Sequence, residues 1–250
     1  ILLTKNKSSL RASNLLLATG GLSLPSIGAS DLGYRVSKQF GHKIIPTTPA
    51  LVPLKMTGYE SLSGTSVVAE IKTKKTIIPR EDILFTHKGL SGPAILKSTL
   101  FWNSGEELRI NWLPEFSLDD ILKDRSHPVY QSNLLQLLKP HLPKKMIEVF
   151  SEKMSLDPHK KFLELSSKQI HTIKETFHRF SFTPSGTEGM RKAEVTRGGV
   201  STKEISPKTM ESKLCPGLYF AGEVLDVTGQ LGGYNFQWAW ASGKLVGDCV

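Results

Sequence analysis

Gly217-Leu-Tyr-Phe-Ala-Gly222-Glu223-Val-Leu-Asp226-Val-Thr-Gly229-Gln-Leu-Gly232-Gly233-Tyr234-Asn235-Phe-Gln-Trp-Ala-Trp-Ala-Ser-Gly243 is the stretch that decides the fold of this 250-residue chain. Its apolar start reads as a buried strand that ends at Gly222-Glu223. A glycine-rich loop follows, then an apolar segment of helical length. Strand, close-approach loop and helix in that order bring a helix N-terminus, with its free N–H groups, up to whatever the loop holds. Such a corner suits a large, partly anionic ligand that carries hydroxyls.

A second strand of the same kind, Ser13-Asn-Leu-Leu-Leu-Ala18, runs into Thr19-Gly20-Gly21 about 200 residues earlier. Residues 1–18 read as two short strands around a polar link, Lys5 to Ser9. A loop with Pro25 and Gly28 leads to a short helix, Tyr34 to Phe40, stopped by Gly41. Pro46, Pro49 and Pro53 mark an extended connector. From Leu51 to Trp112 the pattern is β-like, and Pro93 suits the first turn of a helix. Ser117-Leu-Asp-Asp opens a run of amphipathic segments broken by Pro128, Pro140, Pro143 and Pro158. Phe180 to Thr183 reads as a returning strand, and Ala193 to Val200 as a strand ending in Gly198-Gly199.

The expected fold class is multidomain, α/β and α+β. Two glycine-terminated strands with a β region and a helical region between them resemble a dinucleotide fold interrupted by a substrate domain, which implies a partial Rossmann-like nucleotide-binding domain, residues 1–45 and 197–250, interrupted by a β-barrel-like insert domain, 46–112 and 180–196. A small helical subdomain, 113–179, follows within the insertion.

Composition narrows the class. Hydrophobic content of 39% and a mean hydropathy of -0.17 describe a globular chain with material for a core. No apolar run approaches the roughly 18 residues of a membrane span, so no membrane partner is expected. The chain begins at Ile1 without a signal-peptide pattern and reads as cut from a longer protein. Cys215 and Cys249 form no Cys-x-x-Cys and read as reduced thiols of a cytoplasmic protein. The net charge is +9. Its cations are dispersed: Lys72, Lys74 and Lys75 cluster, while Lys144, Lys145, Lys160 and Lys161 form scattered pairs. A solvated basic surface is the preferred reading, with nucleic-acid binding left open.

Several motifs together resemble bacterial NAD(P)/FAD-dependent oxidoreductases of the aminoacetone-oxidase-like (BaiN/RdsA) family. They are Leu16-Leu-Ala-Thr-Gly-Gly21 with Ser23 and Pro25, Gly41-His42, Pro49-Ala-Leu-Val-Pro-Leu54 and Phe85-Thr-His-Lys-Gly-Leu-Ser-Gly-Pro93. Val195-Thr-Arg-Gly-Gly-Val200, Pro207-Lys-Thr-Met-Glu-Ser212 and the 217–243 block complete the set. The resemblance covers nearly the whole chain, and the 217–243 block is its most specific part. Two departures stand out. No Gly-x-Gly-x-x-Gly turn occurs, which implies a missing N-terminal nucleotide-binding segment of roughly 150 residues. Gly28-Ala-Ser-Asp-Leu-Gly-Tyr34 replaces the family's Gly-Ser-Thr-Gly-Asp-Gly-Tyr.

The resemblance implies FAD as cofactor and a nicotinamide cofactor, NAD(P)H, as a candidate electron donor. It assigns Glu223, after Gly222, as acceptor for a ribityl hydroxyl, a task that suits a carboxylate. Gly232, Gly233, Tyr234 and Asn235 open the helix whose N-terminal field would face the flavin. Thr19, Gly20 and Gly21 are candidates for the adenine half, and Gly198 and Gly199 for the isoalloxazine or substrate. Arg197 is as well suited to a surface salt bridge as to an anion. His87 is a weak acid/base candidate from its residue type and its loop. Trp238 and Trp240 read as core. No histidine spacing suggests a metal site. The expected activity is flavin-dependent electron or hydride transfer involving a nicotinamide cofactor or an unidentified small substrate. The alternative is a flavoprotein-like RNA-binding or tRNA-modifying protein.

Overall fold

A computed structural model describes residues 2–3, 9–124 and 126–250. Of the polar link expected at Lys5 to Ser9, residues 5–8 lie outside the described residues, and Ser9 opens a strand. The chain divides into two compact units, Ile1–Leu51 with Gly189–Val250, and Val52–Glu188.

The first unit begins with β1 (Leu2–Leu3) and β2 (Ser9–Leu10), an antiparallel pair, then β3 (Leu15–Leu17). Helix α1 (Leu32–Gln39) and strand β4 (Ile44–Ala50) follow. The extended connector expected at Pro46 to Pro53 is thus largely a strand. Proline's fixed φ is compatible with extended backbone, and its missing N–H is tolerated on a strand with a free edge.

The second unit contains β5 (Leu54–Lys55), β6 (Ser66–Lys72), β7 (Ile77–Thr86), β8 (Gly89–Ser91), α2 (Pro93–Ser98) and β9 (Leu108–Asn111). Helices α3 (Leu118–Ile121), α4 (Leu134–Leu138), α5 (Lys144–Lys153) and α6 (Ser167–His178) come next, then β10 (Phe180–Phe182). Its sheet is antiparallel with order β10-β9-β6-β7-β8-β5. Alternation in β6 puts Val67, Ala69 and Ile71 inside and leaves Ser66, Val68 and Lys72 exposed, the period of two that a one-sided sheet requires. Pro93 opens α2, Ser117 caps α3 by accepting the Asp120 N–H, and α4 and α6 each begin with a capping box. Sheet and helices close over one apolar core. At its centre Trp112 stacks on Phe85 at 5.5 Å and meets Phe150 edge-on at 5.9 Å.

His178 is locked into that core by two bonds. The Leu118 N–H donates to its Nε2 at 3.1 Å, so the proton resides on Nδ1 and is donated to Asn111 Oδ1 at 3.0 Å. Burial holds its pKa below the ordinary 6.5; Asp119 opposes, while Arg179 and Lys174 add to the depression. The unfolded chain therefore takes up the proton first. The stability from neutral His178 is whole above pH 6.5 and is lost as the pH falls below that value. We expect thermal melts to show a falling Tm from there downward, with a flatter slope in His178→Gln. An unchanged slope in that variant would place the effect on other groups.

The chain then returns to the first unit through β11 (Val195–Val200), β12 (Leu218–Phe220) and α7 (Tyr234–Gly247). Strand β11 pairs antiparallel with β4, and β12 pairs parallel with β3, joining segments about 200 residues apart. Parallel pairing of β3 and β12, with α7 packed on β12, is the Rossmann-like element. Its core includes Leu17, Tyr34, Val200, Phe220, Val224 and Val246.

Candidate functional site

Two strand ends face the same cavity in the first unit. Strand β3 ends in Ala18-Thr19-Gly20 and β12 in Ala221-Gly222-Glu223, and their parallel pairing puts both C-terminal ends on one side. That is where open α/β sheets bind ligands. The cavity measures about 570 Å³, within the size class of small-molecule sites. Gly20, Gly222, Glu223, Gly232, Gly233 and Asn235 line it, together with apolar groups such as Leu16 and Phe236. Of the site residues expected from the sequence, these six converge.

The start of α7 is shaped for a ligand. Gly233 is its N-cap with φ 89°, and no side chain caps the first-turn N–H groups. A side chain grown from Gly233 would meet nothing within 4 Å, so crowding does not account for this glycine. Asn235 closes the loop before it: its Oδ1 accepts the Gly229 N–H at 2.8 Å, and its Nδ2 donates to the Gly229 oxygen at 3.1 Å. Both ends of the amide are committed to the loop.

Thr196, fully buried in β11, was singled out by nothing in the sequence beyond its place in a motif. Its Oγ1 accepts the N–H groups of Leu22 at 2.8 Å and Ser23 at 3.1 Å. With both lone pairs committed, its own proton goes to Ser23 Oγ at 3.0 Å. Its backbone N–H donates to Glu223 Oε1 at 2.6 Å. One residue thereby fixes the loop after β3, the end of β12 and the carboxylate. Gly222 is pinned equally: its N–H donates to Ser242 Oγ at 2.9 Å, and its oxygen accepts from Trp238 Nε1 at 3.1 Å.

The remaining expected residues take other places. Gly21 does not line the cavity; a Cβ there would lie 2.5–2.7 Å from the Thr196 side chain and collide with Glu223. Thr19 packs its side chain against Gly33 of α1. Gly198 and Gly199 form a bulge in β11, pressed on the backbones of Pro46 and Val224. Tyr234 is exposed at the first position of α7. His87 is exposed in the turn between β7 and β8 of the second unit. Arg197 Nε donates to Thr48 Oγ1 at 3.2 Å. The core expected for Trp238 and Trp240 holds only in part. Trp238 is half-buried and donates its Nε1–H to the Gly222 oxygen, whereas Trp240, two residues on and on another face of α7, is 69% exposed and stacks on Phe236.

Tyr34 of α1 is buried, and its hydroxyl has no hydrogen-bond partner among the described residues. Burial, with the Glu223 charge nearby, pushes its pKa up to about 12, so it remains a neutral donor at all ordinary pH. An unmade buried hydrogen bond is costly. Tyr34→Phe should therefore stabilise the cofactor-free protein by about 1 kcal/mol in urea melts. A loss of stability would mean that the hydroxyl is satisfied.

A carboxylate–imidazole–hydroxyl series also occurs in this unit. Ser212 Oγ accepts the N–H groups of Leu214 at 3.0 Å and Cys215 at 2.9 Å, so its proton goes to His42 Nε2 at 2.8 Å. His42 Nδ1 then donates to Glu204 Oε2 at 3.2 Å. Ser212 is buried with both lone pairs committed, so the series cross-links the unit and offers no nucleophile.

A glycine-lined cavity at the ends of parallel strands, against an uncapped helix start, is the ligand corner of a Rossmann-type fold. The HI0933-like protein Rossmann domain matches residues 1–249, and the chain belongs to that family. It is 41% identical over 242 residues to the ribosomal RNA dihydrouridine synthase of Escherichia coli, covering 95% of this chain and 60% of that protein. The enzyme of the same name from Haemophilus influenzae is 41% identical over 241 residues, with the same coverage. The 3-dehydro-bile acid delta(4,6)-reductase of Clostridium scindens is 30% identical over 251 residues, covering 94% of this chain and 61% of that protein. The chain thus spans about three fifths of the length of these relatives. No helix among the described residues is long and apolar enough to cross a membrane.

Proposed function

We propose that the first unit holds FAD in its cavity and that the protein is a flavin-dependent reductase whose substrate is a uridine base of ribosomal RNA. The observation that carries the cofactor is the convergence of Gly20, Gly222, Glu223, Gly232 and Gly233 on one cavity at the C-terminal ends of β3 and β12, against the uncapped start of α7. The uncapped start of α7 and the Glu223 carboxylate offer donors and an acceptor to a ligand that is anionic in part and bears hydroxyls. That donor set fits a flavin nucleotide. FAD supplies two-electron reduction when bound.

The chain's own residues bind and orient. The Gly232–Gly233 corner presents N–H groups, whose positive field favours negative charge beside α7. Glu223, held at one oxygen by the Thr196 N–H, keeps its remaining lone pairs for a hydroxyl. Phe236 and Leu16 give the cavity apolar walls.

The substrate rests on the relatives. Dihydrouridine is uridine with the ring C5=C6 bond saturated, and a delta(4,6)-reductase is likewise named for double bonds it reduces. The shared chemistry is addition of hydrogen to an unsaturated carbon pair. The RNA reading takes precedence because the relatives named for it are 41% identical, against 30% for the bile-acid enzyme. The +9 charge agrees with a polyanionic substrate. NAD(P)H is the proposed electron donor. The test is to purify the full-length protein, record a flavin spectrum, and assay NAD(P)H-dependent conversion of uridine to dihydrouridine in ribosomal RNA. Flavin without RNA reduction, but with reduction of an enone, would favour the small-substrate reading. Absence of flavin after reconstitution would remove both.

A further inference from the structure

Four lysines of the first unit gather around one carboxylate. Lys38 lies in the last turn of α1, and its oxygen accepts the Gly41 N–H at 3.0 Å. Beyond that turn, Lys43 donates its N–H to Glu204 Oε2 at 2.9 Å, and its oxygen accepts the Ser201 N–H at 2.9 Å. Lys213 donates its N–H to the Glu204 backbone oxygen at 2.8 Å, and its Nζ donates to the oxygen of Lys203 at 2.9 Å. These bonds hold the four positions beside Glu204, and all four residues are exposed.

The cluster has no charge partner of its own. Glu204 turns Oε2 inward, to His42 Nδ1 and the Lys43 N–H. Glu211, the next acid along the chain, accepts the Gly217 N–H at 2.8 Å. Among the described residues, none of the four ammonium groups pairs with a carboxylate. In the second unit, by contrast, Lys74, Lys88, Lys97 and Lys174 each reach one. Cations gathered without partners create a positive potential that attracts an anionic surface. Phe40, the C-cap of α1 between Lys38 and Lys43, is 39% exposed and adds a flat apolar ring. Clustered lysines with an exposed aromatic form the footprint of a nucleic-acid surface. None of these residues lines the first unit's cavity, and Lys213 precedes β12 whereas the cavity lies past its other end.

We propose that Lys38, Lys43, Lys203 and Lys213 dock the phosphate backbone of the RNA, with Phe40 stacking on an unpaired base; the inference rests on the RNA reading given above. Ammonium groups neutralise phosphates as point charges and need no fixed fork geometry. Such contacts position the substrate without reading its sequence.

The test is a salt titration of the full-length protein against a fluorescent oligouridylate of about twelve nucleotides, within the span of single-strand sites. The variant Lys38→Gln/Lys43→Gln/Lys203→Gln/Lys213→Gln should flatten the slope of log K against log salt by about three units, and weaken binding at least about a hundredfold near 0.1 M salt. Its flavin content and Tm should match the wild type, because the four side chains are exposed and apart from the cavity. Lys144→Gln/Lys145→Gln, also exposed, should leave the slope unchanged. Phe40→Leu keeps an apolar group but loses the flat ring. It should weaken the oligouridylate about tenfold and leave heparin, a polyanion without bases, unaffected. No binding by the wild type at low salt, an unchanged slope in the fourfold variant, or an equal loss per lysine in the control pair would overturn the surface. Equal effects of Phe40→Leu on oligouridylate and heparin would overturn its assignment to RNA. Dihydrouridine formation in ribosomal RNA is measured on the same preparations. RNA affinity and conversion both unchanged in the fourfold variant sink the surface and leave the function standing. Lysine-dependent RNA binding without conversion by the wild type sinks the function and keeps the surface.

Discussion

Gly20→Ala is expected to abolish flavin retention while costing the fold only about 1 kcal/mol, the strain of a non-glycine residue at φ 72°. A methyl at this position meets no protein atom within 4 Å and projects where the cavity is lined. Gly21→Ala, one residue on, should behave differently. Its methyl would collide with the Thr196 and Glu223 side chains, with a destabilisation of about 1–3 kcal/mol. That corresponds to a Tm loss of roughly 2–12 °C for a protein of this size. Flavin binding would fall as well, because the same collision displaces the carboxylate. Melting curves and flavin-to-protein absorbance ratios, measured side by side, separate the two. Equal stability losses in both variants would show that Gly20 is a packing residue and would remove the main support for a ligand above it.

Glu223→Ala should weaken flavin at least about a hundredfold, since a charge-assisted acceptor is lost and the Thr196 N–H is left without its partner. Glu223→Gln keeps an acceptor oxygen for that N–H but not the charge, and a loss of about tenfold is expected. Flavin fluorescence titration reads both. If Gln and Ala lose affinity equally, the charge is what the cofactor needs. If neither loses any, Glu223 serves only to tie β11 to the end of β12, and the hydroxyl acceptor must be sought elsewhere.

Much of the first unit was legible because backbone geometry writes itself into glycine. The two glycine-ended strands announced the corner, and they pair directly as β3 and β12. Sequence could not tell one kind of glycine from another. Gly20 and Gly233 face open space, whereas Gly198 and Gly199 are pressed on neighbouring backbone. Both kinds appear as the same letter. Thr196 was invisible for a related reason: its importance lies in four hydrogen bonds to segments far away in the chain. Helix starts at Pro93 and Ser117 were readable because capping is local. The strand Ile44–Ala50 was not, because its partner Val195–Val200 arrives some 150 residues later. Trp240 read as core because it is apolar, and only the placement of α7 shows it uncovered.

The parallel pairing of Leu15–Leu17 with Leu218–Phe220 sets a timetable for biosynthesis. At roughly 5–20 residues per second, the earlier strand leaves the ribosome about 10–40 s before its mate exists. The intervening second unit, whose contacts are internal to Val52–Glu188, has time to fold first. Meanwhile three consecutive leucines wait as a sticky, unpaired edge. Nascent chains stalled before Leu218 should therefore recruit trigger-type chaperones, and slowing elongation between the two strands should lower the soluble yield.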